Sequence, residues 1–197
     1  KDLRLRCEFI VKPWDELLAS LENGEGNAIL SGVRFSPEVF KTLDFTRPFF
    51  RSSGKFVVRT GGNLKAPTVR ALAGKRIGVA TGSIHEAFLK AFFPRSRIEA
   101  SEDVAAGREA LRLGKIDALF EDSVKAMFWI TGETARGCCK FLGAGFNDRI
   151  YLNSALSIAV KRDNKLLRDV LDHGLDRLQT SGQFIRIYRG FFPLDAW

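Results

Sequence analysis

The chain has 197 residues, 45% hydrophobic and 27% charged, a composition that supports one large domain or two small lobes with cores of their own and excludes a disordered chain. Its 31 Lys and Arg against 23 Asp and Glu leave a net charge of +8, yet no basic run exceeds two residues (Lys75-Arg76, Lys161-Arg162). No basic helix carries interleaved aromatics either, so nucleic acid is not an expected partner.

The longest uncharged stretch, Ile150–Val160, is too short to cross a bilayer and contains Asn153, Ser154 and Ser157. No secretory signal is read at Lys1–Arg6, which is charged and leads straight into a strand pattern; if the protein is exported, this is a processed or shortened chain. Three cysteines, Cys7, Cys138 and Cys139, are odd in number and two are adjacent, which disfavours a disulfide framework. No Cys or His stands at zinc spacing, and His85 and His173 are far apart, so neither a metal nor a cofactor is expected.

In chain order, Leu3–Val11 alternates apolar and polar residues as a half-buried strand does. Pro13-Trp14 opens a helix to Leu21 with Leu17, Leu18 and Leu21 on one face, and Asn23-Gly24 stops it. Asn27–Val33 reads as a strand. Ser36-Pro37-Glu38 starts a short helix to about Thr42, with Pro at the first helical position. Phe45–Phe50 is extended around Pro48, and Gly54–Arg59 is a further strand.

After the turn-rich link "TGGNLKAP" comes an alternating series: strand 76–80, helix 83–93, strand 97–100, helix 102–113, strand 117–120, helix 123–130. Such alternation predicts a parallel sheet with right-handed crossovers. Tyr151–Val160 is another strand, Asn164–Thr180 an amphipathic helix ended by Gly182, and Phe184–Phe191 a last helix with Phe184, Ile187, Tyr188 and Phe191 on one stripe.

Five blocks in this order carry a resemblance. They are "PWDELLASLENGEGNAILSGV", "FSPEVFKTLDFTRPFF", "LAGKRIGVATGS", "GKIDALFEDS" and "SIAVKRDNKLLRDVLDHGLDRLQTSGQFIRIYRGFF". On them the chain resembles the bacterial extracellular solute-binding proteins of family 3, the polar amino-acid-binding type. The resemblance implies an α/β, two-lobed periplasmic-binding-protein (Venus-flytrap) fold with ligand held between lobes. Lobe one would be 1–58 with 157–197, lobe two 59–156, and the chain would cross near Arg59–Gly62 and Ser154–Ser157. The family's opening strand–loop–helix unit is absent, so lobe one is expected to be incomplete and strand 3–11 to lack a neighbour. The function implied is an extracytoplasmic, periplasmic receptor of an ABC-type uptake system. It would be a monomer handing a small polar, carboxylate-bearing solute to a permease, with no catalytic residue.

The resemblance also assigns ligand-wall positions. Gly82, Ser83 and Ile84 follow strand 76–80 and would offer backbone N–H groups at a helix start to a ligand carboxylate. The residues alone give Ser83 another task, since Ser83-Ile84-His85-Glu86 is a capping box. Asp122 matches the family's ammonium-binding aspartate and is equally placed to cap helix 123–130. Ser31 and Gly32, at the end of lobe one's strand, are ligand-wall positions by resemblance, or an edge hydroxyl and a turn glycine. The family's carboxylate-clamping arginine is replaced by Val39, whose side chain cannot form the charge-assisted fork. Arg34 is the nearest substitute, unless it pairs with Glu38. Glu121 is read as facing solvent or the hinge, His85 as a solvated first-turn residue, and Trp129 as core or ligand platform. Trp14, Phe45, Pro48 and Phe49 are read as core, and Cys138-Cys139 as a loop or strand edge without a redox task.

Two further classes stay open. The fold resembles that of cyclohexadienyl dehydratase, whose chemistry needs a carboxyl acid of raised pKa, for which Glu86, Glu121 and Asp122 are the local candidates. A ligand-binding sensor domain of a membrane receptor is the other.

Overall fold

The computed structural model describes residues 6–31, 39–148, 150–152 and 154–194. A 3-10 turn, Trp14–Glu16, leads into α1 (Leu17–Glu22), followed by β1 (Ala28–Leu30), α2 (Val39–Thr42), β2 (Leu43–Phe45), β3 (Phe50–Ser52) and β4 (Gly54–Arg59). Next come α3 (Val69–Leu72), β5 (Arg76–Ala80), α4 (Ile84–Phe92), β6 (Arg97–Ser101), α5 (Val104–Arg112), β7 (Ala118–Asp122) and α6 (Ser123–Thr131). The chain closes with β8 (Cys139–Phe141), β9 (Ser154–Leu156), β10 (Ile158–Lys161), α7 (Lys165–Thr180) and α8 (Gln183–Phe191). Two compact units result, Lys1–Arg51 with Ala155–Phe191, and Ser52–Ser154 with Phe192–Trp197. The chain passes from one to the other within β3 and β9, which form a two-stranded sheet. Between this division and the one at 58/59 and 156/157 lies β4, which pairs along β7 and β8 in the second unit.

The first unit holds a three-stranded antiparallel sheet in the order β1-β10-β2. Leu21 of α1, Ile29, Leu43 and Ala159 make its buried cluster, with Leu17 and Phe45 packed against it. Arg168 of α7 ion-pairs with Asp44 of β2, and Phe50 stacks on the buried Tyr188 at 6.2 Å. The expected strand at 3–11 is corrected over its described part. Residues 6–12 form no strand, and Phe9 and Val11 are 81% and 96% exposed. Alternation predicts a strand only where a neighbouring strand takes up the backbone groups. Trp14, read as core, is also exposed at 58%.

The second unit carries a five-stranded sheet in the order β6-β5-β7-β4-β8. β6, β5 and β7 are parallel, as the alternating series predicts, while β4 runs antiparallel to β7 and to β8. Side chains alternate across it. Phe56, Val58, Ile77, Val79 and Phe120 pack on one face with Phe88 and Phe93. On the other, Val57 and Leu119 meet Leu111, Ala126 and Trp129, which is core. A sheet covered on both faces needs apolar residues in both registers, which is why β4 reads "GKFVVR".

Candidate functional site

β5 ends at Ala80, and Gly82 turns the chain with φ of +68°, a conformation that glycine adopts without a Cβ penalty. Ser83 then caps α4. Its Oγ accepts the Glu86 N–H at 3.1 Å and donates to the Ala80 carbonyl at 2.6 Å. The return arm of the capping box lands one residue early, for Glu86 Oε2 accepts the Gly82 N–H at 2.6 Å. Lys90 Nζ lies 2.6 Å from Glu86 Oε1, and that ammonium together with the Gly82 amide holds the Glu86 carboxyl below its ordinary range. The Ser83 N–H is directed at Ala80 O, 3.3 Å away. Of the three N–H groups expected to meet an anion, that of Gly82 is thus already taken by an internal carboxylate and that of Ser83 by a backbone carbonyl.

Asp122 ends β7 and caps α6, accepting from the N–H groups of Val124 at 3.0 Å and Lys125 at 3.1 Å. β5 and β7 are adjacent parallel strands with Gly78 beside Leu119. Continuing that register brings Thr81 level with Asp122, so the α4 start and the Asp122 carboxylate share the C-terminal edge of the sheet. That edge is where open α/β sheets bind ligands.

Two neighbours are corrected. Glu121 does not face solvent: it is 7% exposed, because alternation along β7 places it on the same face as Leu119. Arg108 of α5 grips it with two bonds, Nε at 3.1 Å and a terminal nitrogen at 2.6 Å. The same guanidinium donates to the Lys125 carbonyl at 3.1 Å and lies 5.4 Å from the Trp129 ring centre. Burial raises the Glu121 carboxyl, with Arg108 opposing. His85 is half-buried with its ring edge-on to Phe120 at 5.7 Å. Burial lowers its pKa, outweighing the opposite pull of Asp122. Ser83, His85, Ser101, Phe120 and Glu121 line a cavity of about 30 Å³, enough for one water molecule.

Of the first unit's predicted positions, Ser31 is a half-buried bend just after β1, while Gly32 and Arg34 lie outside the described residues. Val39 begins α2. The structure thus gathers Gly82, Ser83, Ile84 and Asp122 on one sheet edge and leaves Ser31 in a separate unit. Arg108 escaped the sequence reading because it is thirteen residues from Glu121. The available signal was the period of two along "ALFED", which turns Glu121 inward with Leu119 and requires a cationic partner there.

Comparison with known proteins extends this picture. The family model described as "Bacterial extracellular solute-binding proteins, family 3" matches residues 1–194. The chain is 26% identical over 193 residues to the ABC transporter arginine-binding protein 1 of Escherichia coli K12, covering 98% of this chain and 77% of that protein. It is 24% identical over 199 residues to the histidine-binding periplasmic protein of the same strain, covering 100% and 76%. In structure it is similar to the L-cystine solute receptor of Neisseria gonorrhoeae in its unliganded open conformation. The TM-score is 0.79 at 18% identity, over 96% of this chain and 77% of that one. Among the described residues no helix is long and apolar enough to cross a membrane.

Proposed function

The chain belongs to the bacterial extracellular solute-binding proteins, family 3, and from that premise we propose that it is the amino-acid receptor of an ABC-type uptake system. It captures its solute outside the cytoplasm, in the periplasm, and delivers it as a monomer to a membrane permease. The observation that carries this reading is the shared sheet edge at the ends of β5 and β7, where amide donors and the Asp122 carboxylate stand at adjacent strand ends. An α-amino acid presents the complementary pair of charges. Its carboxylate goes to Gly82, Ser83 and Ile84, and a cationic group goes to Asp122. Ser31, Gly32 and Arg34 supply lobe one's wall, Arg34 standing in for the clamp that Val39 cannot provide. Arginine and histidine, the ligands named for the two relatives, each carry such a cationic group. Closure of the lobes shifts an open–closed equilibrium and needs no chemistry.

Isothermal titration with L-arginine and L-histidine tests this, with saturable 1:1 binding expected and no heat from either overturning the ligand class. Arg34→Ala should weaken binding far more than Val39→Ala; coincident curves would remove Arg34 from the site. The raised Glu121 carboxyl gives the dehydratase reading its one foothold, but Arg108 already holds both its oxygens. Turnover of prephenate by the purified protein would reinstate that reading.

A further inference from the structure

Cys138 and Cys139, read from the sequence as a loop or strand edge without a redox task, are joined to each other in a disulfide, with Cys138 just before β8 and Cys139 its first residue. Arg136 and Gly137, both in the left-handed region with φ of 51° and 68°, bring the chain to the pair. Cys138 is half-buried, and its N–H and carbonyl are fixed by Ala135 O at 3.0 Å and Thr60 N at 2.8 Å. Cys139 is 5% exposed and packs in the cluster of Val57, Leu111, Ala126 and Trp129. The pair stands at the start of the outermost strand, where Cys139 faces Arg59 of β4. Asp122 faces Gly54 at the other end of β4, about 17 Å away along five strand steps. The amino-acid reading makes no use of these sulfurs.

We propose that Cys138 and Cys139 form a redox-gated dithiol site for a trivalent, thiophilic arsenical. Two sulfurs that the backbone brings to bonding distance remain side by side after reduction, and soft ligands of that kind select soft centres. The number and spacing of donors favour one centre. Among the described residues no group of three His, Cys, Asp or Glu is placed to hold a metal ion, so a four-coordinate metal would find half its ligands missing. Sulfurs on adjacent residues suit the bent angle at which an organic As(III) centre holds two thiolates better than the linear one of a two-coordinate cation such as Cu(I) or Hg(II).

The gate is ordinary exchange with a small thiol. An external thiolate attacks the Sγ of Cys138, the more exposed residue of the two, forming a mixed disulfide and releasing the Cys139 thiolate, which takes a proton. A second external thiolate attacks the outer sulfur of the mixed disulfide, releases Cys138 and leaves as the oxidised small-molecule disulfide. An R–As=O group then condenses with both thiols, forming two As–S bonds and one water with no change in oxidation state.

The probe is phenylarsine oxide, read by intact mass and peptide mapping on the full chain. As purified, the protein should take up none and map a 138–139 disulfide. After reduction by excess glutathione and its removal, one adduct per chain should form on the 138–139 peptide and be stripped by dimercaptopropanol. Cys138→Ser and Cys139→Ser should each abolish it, and Cys7→Ala should not change it. Free thiols at 138 and 139 in the purified protein, a disulfide mapped to Cys7, or a reduced chain that takes up no arsenical would each overturn the proposal. The mapping on unaltered protein decides even if a serine variant fails to fold. Amino-acid binding can stand or fall without affecting any of these outcomes.

Discussion

The two units use the same alternating apolar residues to different effect. In the second, helices cover both faces of a five-stranded sheet, and an aromatic group built around Phe56, Phe88, Phe93, Phe120 and Phe146 fills one side with ring centres 4.6 to 6.1 Å apart. In the first, a three-stranded sheet supports one small cluster, and the sixteen residues of α7 bury none of their side chains completely. Leu166 is 77% exposed and Leu30 60%. Amphipathic patterning creates an apolar face, and only a facing layer turns that face into a core.

The largest effects should therefore fall in the second unit. Phe56→Ala removes a fully buried ring with three aromatic partners, and a loss of about 3–5 kcal/mol is expected. Leu21→Ala, in the first unit's cluster, should lose about 2–3 kcal/mol because the neighbouring cluster is small and can relax. Regional hydrogen exchange separates the two. Phe56→Ala should speed exchange throughout β4, β5 and β7, while Leu21→Ala should confine the change to β1, β2 and β10. Equal spread from both variants would mean that the units unfold as one.

Comparable in size to Leu21→Ala is Arg108→Ala, which strands a carboxylate beneath α5 and α6 at a cost of about 3 kcal/mol near neutral pH. Burial already raises the folded-state pKa of Glu121 above the ordinary glutamate value of 4.5. The folded chain thus binds the proton more tightly than the unfolded one, and stability declines as pH rises from about 4.5 through the folded value. Removing Arg108 takes away the main opposing influence and extends that window upward. The gap between variant and parent, measured by urea unfolding, should be wide at pH 8 and narrow towards pH 5. A gap independent of pH would mean that Arg108 acts through packing on Trp129 alone.

These contrasts also mark what the sequence could disclose. β5 at Arg76–Ala80 and the capped start of α4 were legible because strand period, Gly82 and the Ser83–Glu86 spacing agree locally. β8 was not, since three residues carry no period and their extended form is imposed by pairing with β4. Residues 6–12 show the reverse case, a pattern without a partner. At the site, Ser83 and Asp122 were identified as both caps and ligand positions, and the structure shows the caps. The amide that Glu86 takes depends on the φ of Gly82, which the residue type permits but does not dictate.

Glu86 gives a prediction of intermediate size, measured as affinity. A ligand carboxylate arriving at Gly82 must displace the Glu86 carboxylate, which Lys90 stands ready to hold. Glu86→Gln removes the competing charge and should tighten L-arginine binding about tenfold, whereas Lys90→Met should weaken it. If parent protein binds L-arginine and both variants match it, Glu86 is only a helix cap.

The smallest effect tests the weak side of the comparison. Phe9 is 81% exposed and residues 6–12 form no strand, so the ring contributes almost no burial to the fold. Phe9→Ser should change unfolding free energy by no more than about 0.5 kcal/mol, as substitutions at exposed positions do. It should do so although the same change at Phe56 would be ruinous. A loss several times larger would show that this segment packs against the first unit in solution, and the shortage of core in that unit would then be smaller than its buried cluster suggests.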